Sequence, residues 1–505
     1  LKTATLHYLA ITTLSAACGL VVEITAGRMI APYLGMSLYT WTAIIAVVLA
    51  GFSAGHWIGG RIAEWPAAAC RAGVAWSLLL AGLTAALTLV LIRVVAPPVI
   101  GLGFGPVPTI LLLTTVLFFL PSLFVGIPSP ALTKLALDGE PEHTGHILGT
   151  FYAAGAIGSI FGTLAAGFLF ISWLGTIGTI LTVAALYAVM AFTLFLPLRA
   201  PNARTQALSG FVALVVGGLA IAVAGQRSAA FQSPCEVESD YYCIRSADLT
   251  GPGGVTMRSM VLDHLEHGIN VREQPTMLVS PYVEAQDSLA RIHSGKRSPF
   301  RSFFIGGGAF TLPRAWLAAR PDAEIVVAEV DREVTRFARQ YLWLPADTRL
   351  TVDHRDARAS LAAQPAGTFD VVIGDAFHDI SIPQHLVTRE FFAEAHARLA
   401  SDGIYLMNVV DSLARPRLAL SIVRALRESF PVVEVWRSNQ TGDRATLVIA
   451  GLRAPTPFAR LPSRVQRGLA FERLAKDELA QLERTLAPLL LTDNFAPVDR
   501  LMAAQ

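Results

Sequence analysis

Carboxylates that follow a run of glycines are the first residues here whose types and spacing could do chemistry. Gly306, Gly307 and Gly308 close the segment RSFFIGGG. Glu329, Asp356 and Asp375 close the next three β-like runs, AEIVVAEVD, RLTVDHRDA and FDVVIGDAF. Consecutive glycines let a chain turn sharply and let its backbone approach a ligand closely. An acid about 20 residues beyond such a turn can hold the ribose hydroxyls of a nucleoside, and Glu329 stands 23 residues after Gly306. Asp356 is placed to accept from an exocyclic adenine amine, and Asp375 to face the reacting centre. Glycine turns also serve plain strand–helix packing, so the glycines alone say little. Three acids in step at successive strand ends favour a nucleoside-binding core over a bare scaffold. A dinucleotide site fits less well, because GGGAFT lacks the third glycine of GxGxxG.

The elements that must hold these residues alternate strand with helix. LPRAWLAAR and EVTRFARQYLWL read as helices between the first three strands, and GIYLMNVV, PVVEVWR and RATLVIA complete the set. Repeated βα units imply a parallel, doubly wound sheet of Rossmann-like, methyltransferase-like type, with its ligand at the carboxyl ends of the strands. Upstream, YYCIRSAD, GVTMRSMVLD and GINVRE read as a small antiparallel β domain. The expected divisions are a transmembrane helical domain over 1–226, the small β domain over 231–297, the Rossmann-like domain over 298–455 and a helical tail over 456–505.

Composition sets the first 226 residues apart. The chain has 505 residues, 53% hydrophobic and 15% charged, against roughly 25% charged in soluble domains. Its mean hydropathy of +0.51 excludes an ordinary soluble enzyme. Only 13 charged residues lie in 1–226, and the other 65 lie from Arg227 onward. A helix crosses a bilayer with about 20 mostly apolar residues, because its backbone must be satisfied internally. Seven spans are expected, near 6–30, 40–62, 71–95, 107–134, 147–172, 176–198 and 207–225, the fourth kinked or broken by Pro121, Pro128 and Pro130. Gly51, Gly55 and Gly59, and Gly155, Gly158 and Gly162, suit close helix packing. Glu23, Arg28, His56 and Arg93 are the ionisable residues inside the spans. Glu23 and Arg28 either pair or reach the interface, and no span looks like a proton relay. Cys18 and Cys70 read as core residues, and Cys235 and Cys243 are close enough to pair in an oxidising compartment. No CxxC cluster suggests a metal. A net charge of +2 without a basic tail gives no sign of nucleic acid.

Further motifs give the chain a family resemblance. ESDYYCIRS, VLDHLEHG, SPYVEAQ, FIGGG, VAEVD, HRDA, GDAFHDISIPQHLVTREFF and LTDNFAPVDRL resemble spermidine synthases and their membrane-fused bacterial relatives. EITAGRMIAPYLG, GHWIGGRIAE and TFYAAGAIGSIFGT resemble the fused branch as well. The resemblance implies S-adenosylmethionine or its decarboxylated form as co-substrate, no metal, release of methylthioadenosine, a small-molecule amine acceptor or none, and a homodimer. By position, Gly306–Gly308 line the sulfonium side, Glu329 holds the ribose and Asp356 the adenine, and Asp375 accepts the proton of the attacking amine. Tyr241, Tyr242 and Tyr282 either wall the acceptor pocket or pack the β domain. Gln384 and His385 either gate the site or sit in a surface loop. Asp493 and Asp499 match a tail motif with no chemistry derivable from sequence.

The chain departs from this family in two places. Synthases carry an Asp directly after the glycines, where Ala309 stands here. The DxxD spacing after the fourth strand reads Asp375, Ala376, Phe377, His378, with Asp379 one place late. The first change removes the partner of the aminopropyl ammonium and points to intact S-adenosylmethionine. The second displaces an anchor for a diamine or replaces it with His378. The expected function is a membrane-anchored, aminopropyltransferase-like enzyme. The alternatives are a lyase or cyclase cleaving S-adenosylmethionine at the same site, a methyltransferase, and a transporter or sensor with a nucleoside-binding domain. The expected location is the lipid bilayer of a bacterial-type inner membrane. The donor's supply favours a cytoplasmic catalytic domain. Basic residues Lys2, Arg61, Arg71, Lys134, Arg199 and Arg204 with seven spans favour the opposite side.

Overall fold

The computed structural model describes residues 2–195, 203–377, 381–440 and 444–503. The chain divides into two compact units, Leu1–Asp240 and Tyr241–Gln505. The division falls later than the change of composition near Gln226–Phe231, because the intervening residues bond back to the helices. Arg93 Nη2 donates to the Gln232 carbonyl at 2.5 Å and Arg28 Nη2 to the Ser239 carbonyl at 2.6 Å. The amide and hydroxyl of Thr176 donate to Glu238 Oε2 at 2.9 and 3.0 Å.

The first unit comprises α1 (Thr3–Leu34), α2 (Leu38–Ala63), α3 (Ala67–Gly101), α4 (Pro106–Gly126), α5 (Pro128–Gly139), α6 (Thr144–Ala165), α7 (Ile171–Phe195) and α8 (Ala203–Arg227). Among the described residues, six helical stretches are long and apolar enough to cross a membrane, compatible with a multi-pass membrane protein. Seven spans were expected. The difference lies in Pro141–Phe195, a continuous 55-residue stretch where two spans were expected. It contains a π turn over Ala166–Phe170 and a non-helical Gly175 with φ 65°. The break in the fourth span is present: α4 ends at Gly126 and α5 begins at Pro128, whose ring cannot continue the preceding turn.

Small residues bring the helices into backbone contact. A Cβ on Gly55 would lie 2.1 Å from the Leu123 carbonyl oxygen, and one on Gly59 2.4 Å from that of Ile127. Cβ atoms on Gly158 and Gly162 would each lie 2.2 Å from a carbonyl of α1, those of Thr13 and Ala17. Gly155, expected in the same stripe, has nothing within 4 Å.

The second unit begins with an antiparallel sheet, β1 (Cys243–Thr250), β2 (Thr256–Leu262) and β3 (Leu265–Val271), followed by α9 (Pro281–Ser294). Strands and helices then alternate: β4 (Phe300–Ile305), α10 (Thr311–Ala319), β5 (Ala323–Ala328), α11 (Arg332–Tyr341), β6 (Leu350–Asp353), α12 (Ala357–Ala362) and β7 (Phe369–Gly374). After α13 (Arg389–Arg398) come β8 (Leu399–Ser412), α14 (Arg417–Leu426), β9 (Val432–Ser438) and β10 (Arg444–Leu452). Strands β11 (Arg460–Pro462) and β12 (Ala470–Arg473) precede α15 (Lys476–Leu486) and α16 (Val498–Ala503). The order across the sheet is β11-β12-β9-β10-β8-β7-β4-β5-β6. β8, β7, β4, β5 and β6 run parallel and the others antiparallel. This is a Rossmann-like, methyltransferase-type sheet.

Every residue of β7 is buried, as expected of a parallel strand covered on both faces. The tail is not wholly helical. β11 and β12 extend the sheet beyond residue 455, with Phe471 paired to Ser438 and buried, because these two short strands complete the edge beside β9.

The glycine contacts predict that Gly55→Leu forces α2 away from α4 and lowers the thermal midpoint of the detergent-solubilised protein. Gly60→Leu, where a Cβ meets nothing within 4 Å, should leave the midpoint unchanged.

Candidate active site

β4 and β7 are neighbours in the sheet but are separated in the chain by β5, β6 and three helices, so the crossovers change direction between them. A crevice opens at such a switch point, outside the carboxyl ends of the strands. Ile305 of β4 stands opposite Ala328 of β5 and Gly374 of β7, and Ala328 opposite Asp353 of β6. Gly306, Glu329 and Asp375 each follow directly, in one layer. Backbone bonds carry the ladder into that layer: Gly306 N–H to Ala328 O and Asp375 N–H to Ile305 O, both 2.9 Å, and Glu329 N–H to Asp353 O, 3.0 Å.

The glycine turn is required by close approach. Gly306 has φ 93°, and a Cβ there would lie 2.6 Å from the Asp375 carbonyl oxygen. Gly308 has φ 48°. The Gly307 and Gly308 amides donate to Glu329 Oε2 at 2.8 and 3.4 Å, and the Asp331 amide donates to its Oε1 at 3.0 Å. Glu329 is 7% exposed. Burial raises its carboxyl above the ordinary range, although the amides oppose this. It is the acid the sequence placed beneath the glycines, and its Oε1, with one amide donor, keeps lone-pair capacity for a ligand hydroxyl.

Asp375 retains some surface, yet burial pushes its carboxyl up to about 6. Asn408 Nδ2 donates to its Oδ1 at 2.8 Å and the Tyr282 hydroxyl to its Oδ2 at 3.4 Å, both favouring the ionised form. Such a carboxylate is charged at neutral pH and close enough to its titration point to take a proton. The Tyr242 hydroxyl donates to the Phe377 carbonyl at 3.1 Å. Tyr242 and Tyr282 therefore converge on the segment after β7. Tyr241 is 46% exposed and tilts against Tyr242, with ring centroids 6.3 Å apart.

Asp356 does not end its strand. β6 stops at Asp353, and Asp356 caps α12, its Oδ1 accepting from the amides of Arg358 and Ala359 at 3.0 and 3.1 Å. Its Oδ2 accepts from His385 Nε2 at 2.8 Å. Burial pushes its carboxyl up, but the Ala359 amide and His385 outweigh that and hold it below its ordinary value. Gln384 and His385 lie in a short 3-10 turn, Gln384–Leu386, so His385 reaches back to Asp356 across the strand ends. His378 and Asp379 lie outside the described residues.

Asn408 is the site residue that sequence reasoning missed. Its signal was the polar residue in the otherwise apolar run GIYLMNVV of β8. It is 5% exposed, and its Oδ1 has no protein partner among the described residues. The small β domain also contributes. The His267 carbonyl accepts from the Ala309 amide at 3.2 Å, and Asn270 Nδ2 donates to the Ala309 carbonyl at 2.9 Å. Burial, with His264 nearby, pushes the His267 ring down to about 4, so it is neutral at pH 7. Among the described residues no group of three His, Cys, Asp or Glu side chains could hold a metal ion.

Residues 303–438, which contain this layer, match the spermine/spermidine synthase domain. A polyamine aminopropyltransferase from Vibrio vulnificus is 31% identical over 112 residues, which are 22% of this chain and 38% of that protein. The chain thus spans well under two thirds of that relative's length. A polyamine aminopropyltransferase from Corynebacterium efficiens is 26% identical over 492 residues, covering 88% of this chain and 86% of that one. A crystal structure of a probable spermidine synthase from Corynebacterium glutamicum aligns with a TM-score of 0.44 at 22% identity, over 52% of this chain and 97% of the other.

The Gly306 geometry predicts that Gly306→Ala costs on the order of 1–3 kcal/mol of stability through backbone strain. Chemical denaturation of the solubilised protein reads this. An unchanged midpoint would mean that the turn adapts.

Proposed function

We propose, for a chain whose C-terminal region carries a spermine/spermidine synthase domain, an alkyl transferase of the aminopropyltransferase kind, anchored in a membrane. Its co-substrate is S-adenosylmethionine or the decarboxylated form. The observation that carries the proposal is the Asp375 carboxyl. It is pushed up to about 6 by burial, held by Asn408 and Tyr282, and set beside the glycine turn.

An ammonium is no nucleophile, so an acceptor amine must lose a proton as it attacks. Asp375 takes that proton. The amine nitrogen forms a bond to the carbon beside the sulfonium, the C–S bond breaks, and its electron pair stays on sulfur as methylthioadenosine. Glu329 holds the ribose hydroxyls. Tyr282 orients Asp375, and Tyr242 ties down the segment beyond it.

Position 309 favours the intact donor. Ala309 is 1% exposed, with both backbone polar groups engaged by the β domain. A Cβ on Gly268 would lie 2.9 Å from the Ala309 Cβ. A carboxylate at 309 would have to enter this packed contact, so nothing there partners the amine of a decarboxylated donor.

Purified full-length protein incubated with each donor should release methylthioadenosine, faster from S-adenosylmethionine. S-adenosylhomocysteine as product would instead mean methyl transfer, and binding without product a sensor or transporter. Turnover should rise with pH through a midpoint near 6 and level off one to two pH units higher, because Asp375 must be ionised to accept a proton. Asp375→Asn should abolish turnover while the donor still binds; turnover that persists removes Asp375 from the mechanism.

The charges of the first unit propose a side. Lys2 Nζ donates to the Gly139 carbonyl, so the start of α1 and the end of α5 share one end of the bundle. Residues 232–239 bond to Arg28, Arg93 and Thr176 at the other end. Arg61, Arg71 and Lys134 stand toward the Lys2 end, which the positive-inside rule places in the cytoplasm. The chain beyond residue 232 then begins on the outer side, away from the compartment where the donor is made. Alkaline phosphatase fused after Gln505 should be active in a bacterial host. An active cytoplasmic reporter at the same point would reverse the assignment.

A further inference from the structure

Among the described residues the C-terminal segment Leu491–Asp499 has no hydrogen bond to Glu329 or Asp375, yet it bonds to Arg358 after β6 and to Ser381–Glu390 after β7. Asp499 Oδ1 accepts from the Ser381 hydroxyl at 2.7 Å. Asp493 Oδ1 accepts from the Thr388 hydroxyl at 2.6 Å, and both Asp493 oxygens accept from the Arg358 guanidinium, at 2.8 and 2.9 Å. The Arg389 amide donates to the Leu491 carbonyl at 3.0 Å, and the Asp493 amide to Glu390 Oε2 at 3.1 Å. Arg358 also binds Glu394, at 2.7 Å, and its own amide donates to Asp356. His385, inside the span so held, donates to the same Asp356. The segment is itself anchored by buried Leu491, Val498, Leu501 and Met502.

We infer that this segment is a clamp on Ser381–Thr388, the stretch that follows Asp375, and that Asp499 and Asp493 are positioning residues for the crevice. The reason is geometric. Ser381–Thr388 has few backbone bonds of its own: Leu386 N–H to Pro383 O at 2.9 Å and Val387 N–H to Gln384 O at 3.3 Å. Ile382, Leu386 and Val387 bury their side chains in the core and attach the stretch to the sheet, and side-chain bonds at its two edges fix how its backbone lies beside Asp356. Asp499 supplies one edge and Asp493 the other. Two carboxylates are suited to this, because hydrogen bonds to a charged acceptor are stronger than neutral ones. The inference rests on the transferase reading only where it concerns turnover.

The test uses the full-length solubilised protein. In Asp499→Ala and in Ser381→Ala, hydrogen–deuterium exchange at Leu386 and Val387 should accelerate about tenfold, the loss of one charge-assisted bond. The double variant should exchange no faster than either single one, since both remove the same interaction. Asp499→Asn keeps an oxygen acceptor and should return exchange toward the parent rate. Turnover should show a lowered kcat in Asp499→Ala with the donor KM unchanged, because the Glu329 side is untouched. Unchanged exchange in Asp499→Ala, or additive effects in the double variant, would overturn the clamp. A lowered kcat that Asp499→Asn fails to restore would overturn the positioning role. Exchange is read without turnover, so a parent protein that releases no methylthioadenosine refutes the transferase reading and leaves the clamp to be judged by exchange.

Discussion

The contact between Gly306 and the backbone of Asp375 is the constraint on which the second unit's strand-end layer depends. β4 and β7 can end side by side only if the chain leaving β4 turns away without a side chain, since a Cβ on Gly306 would lie 2.6 Å from the Asp375 carbonyl. The turn aims the Gly307 and Gly308 amides at Glu329. It also leaves the Asp375 carboxyl at the switch point, held by Asn408 and Tyr282. One missing methyl group thus fixes two carboxylates and the space above them.

The two carboxylates then diverge in character. Burial raises both, but Glu329 has backbone amides on both oxygens, whereas Asp375 has one side-chain amide and a longer contact to a phenol. Fixed amide dipoles suit a group that binds and does not change charge. A sparsely held carboxyl near 6 suits a group that takes up a proton and gives it back. Asp356 is a third case: most of its acceptor capacity goes to capping α12 and to His385, which makes it a structural corner of the crevice.

The helical unit obeys a similar rule of missing side chains for a different reason. Helices this apolar on all sides come together through close backbone packing where small residues let them approach. Gly55 against α4, Gly59 against the α4–α5 junction at Ile127, and Gly158 and Gly162 against α1, are points where a methyl group would meet a carbonyl oxygen. Gly155 shares their spacing but not their contact, which shows that the spacing marks a candidate stripe and the neighbouring helix selects its members.

Much was legible in the residues themselves. Apolar runs of 20 or more residues disclosed the helical unit, because a bilayer leaves few other ways to satisfy a backbone. The alternation of strands and helices, with glycines and acids at strand ends, disclosed the sheet and placed Glu329 and Asp375, since both are set by local geometry. What escaped depends on contacts distant in sequence. Asn408 lies 33 residues from Asp375 and is a partner only because β8 lies beside β7. The edge strands β11 and β12 are too short to show a period and exist because β9 offers them a partner. The tail acids Asp493 and Asp499, 118 residues from Ser381 in the latter case, acquire a role only where the chain returns to the crevice. Local rules name the residues at the strand ends. The tertiary structure decides which others hold them, because a hydrogen bond across a fold leaves no spacing in the sequence to read.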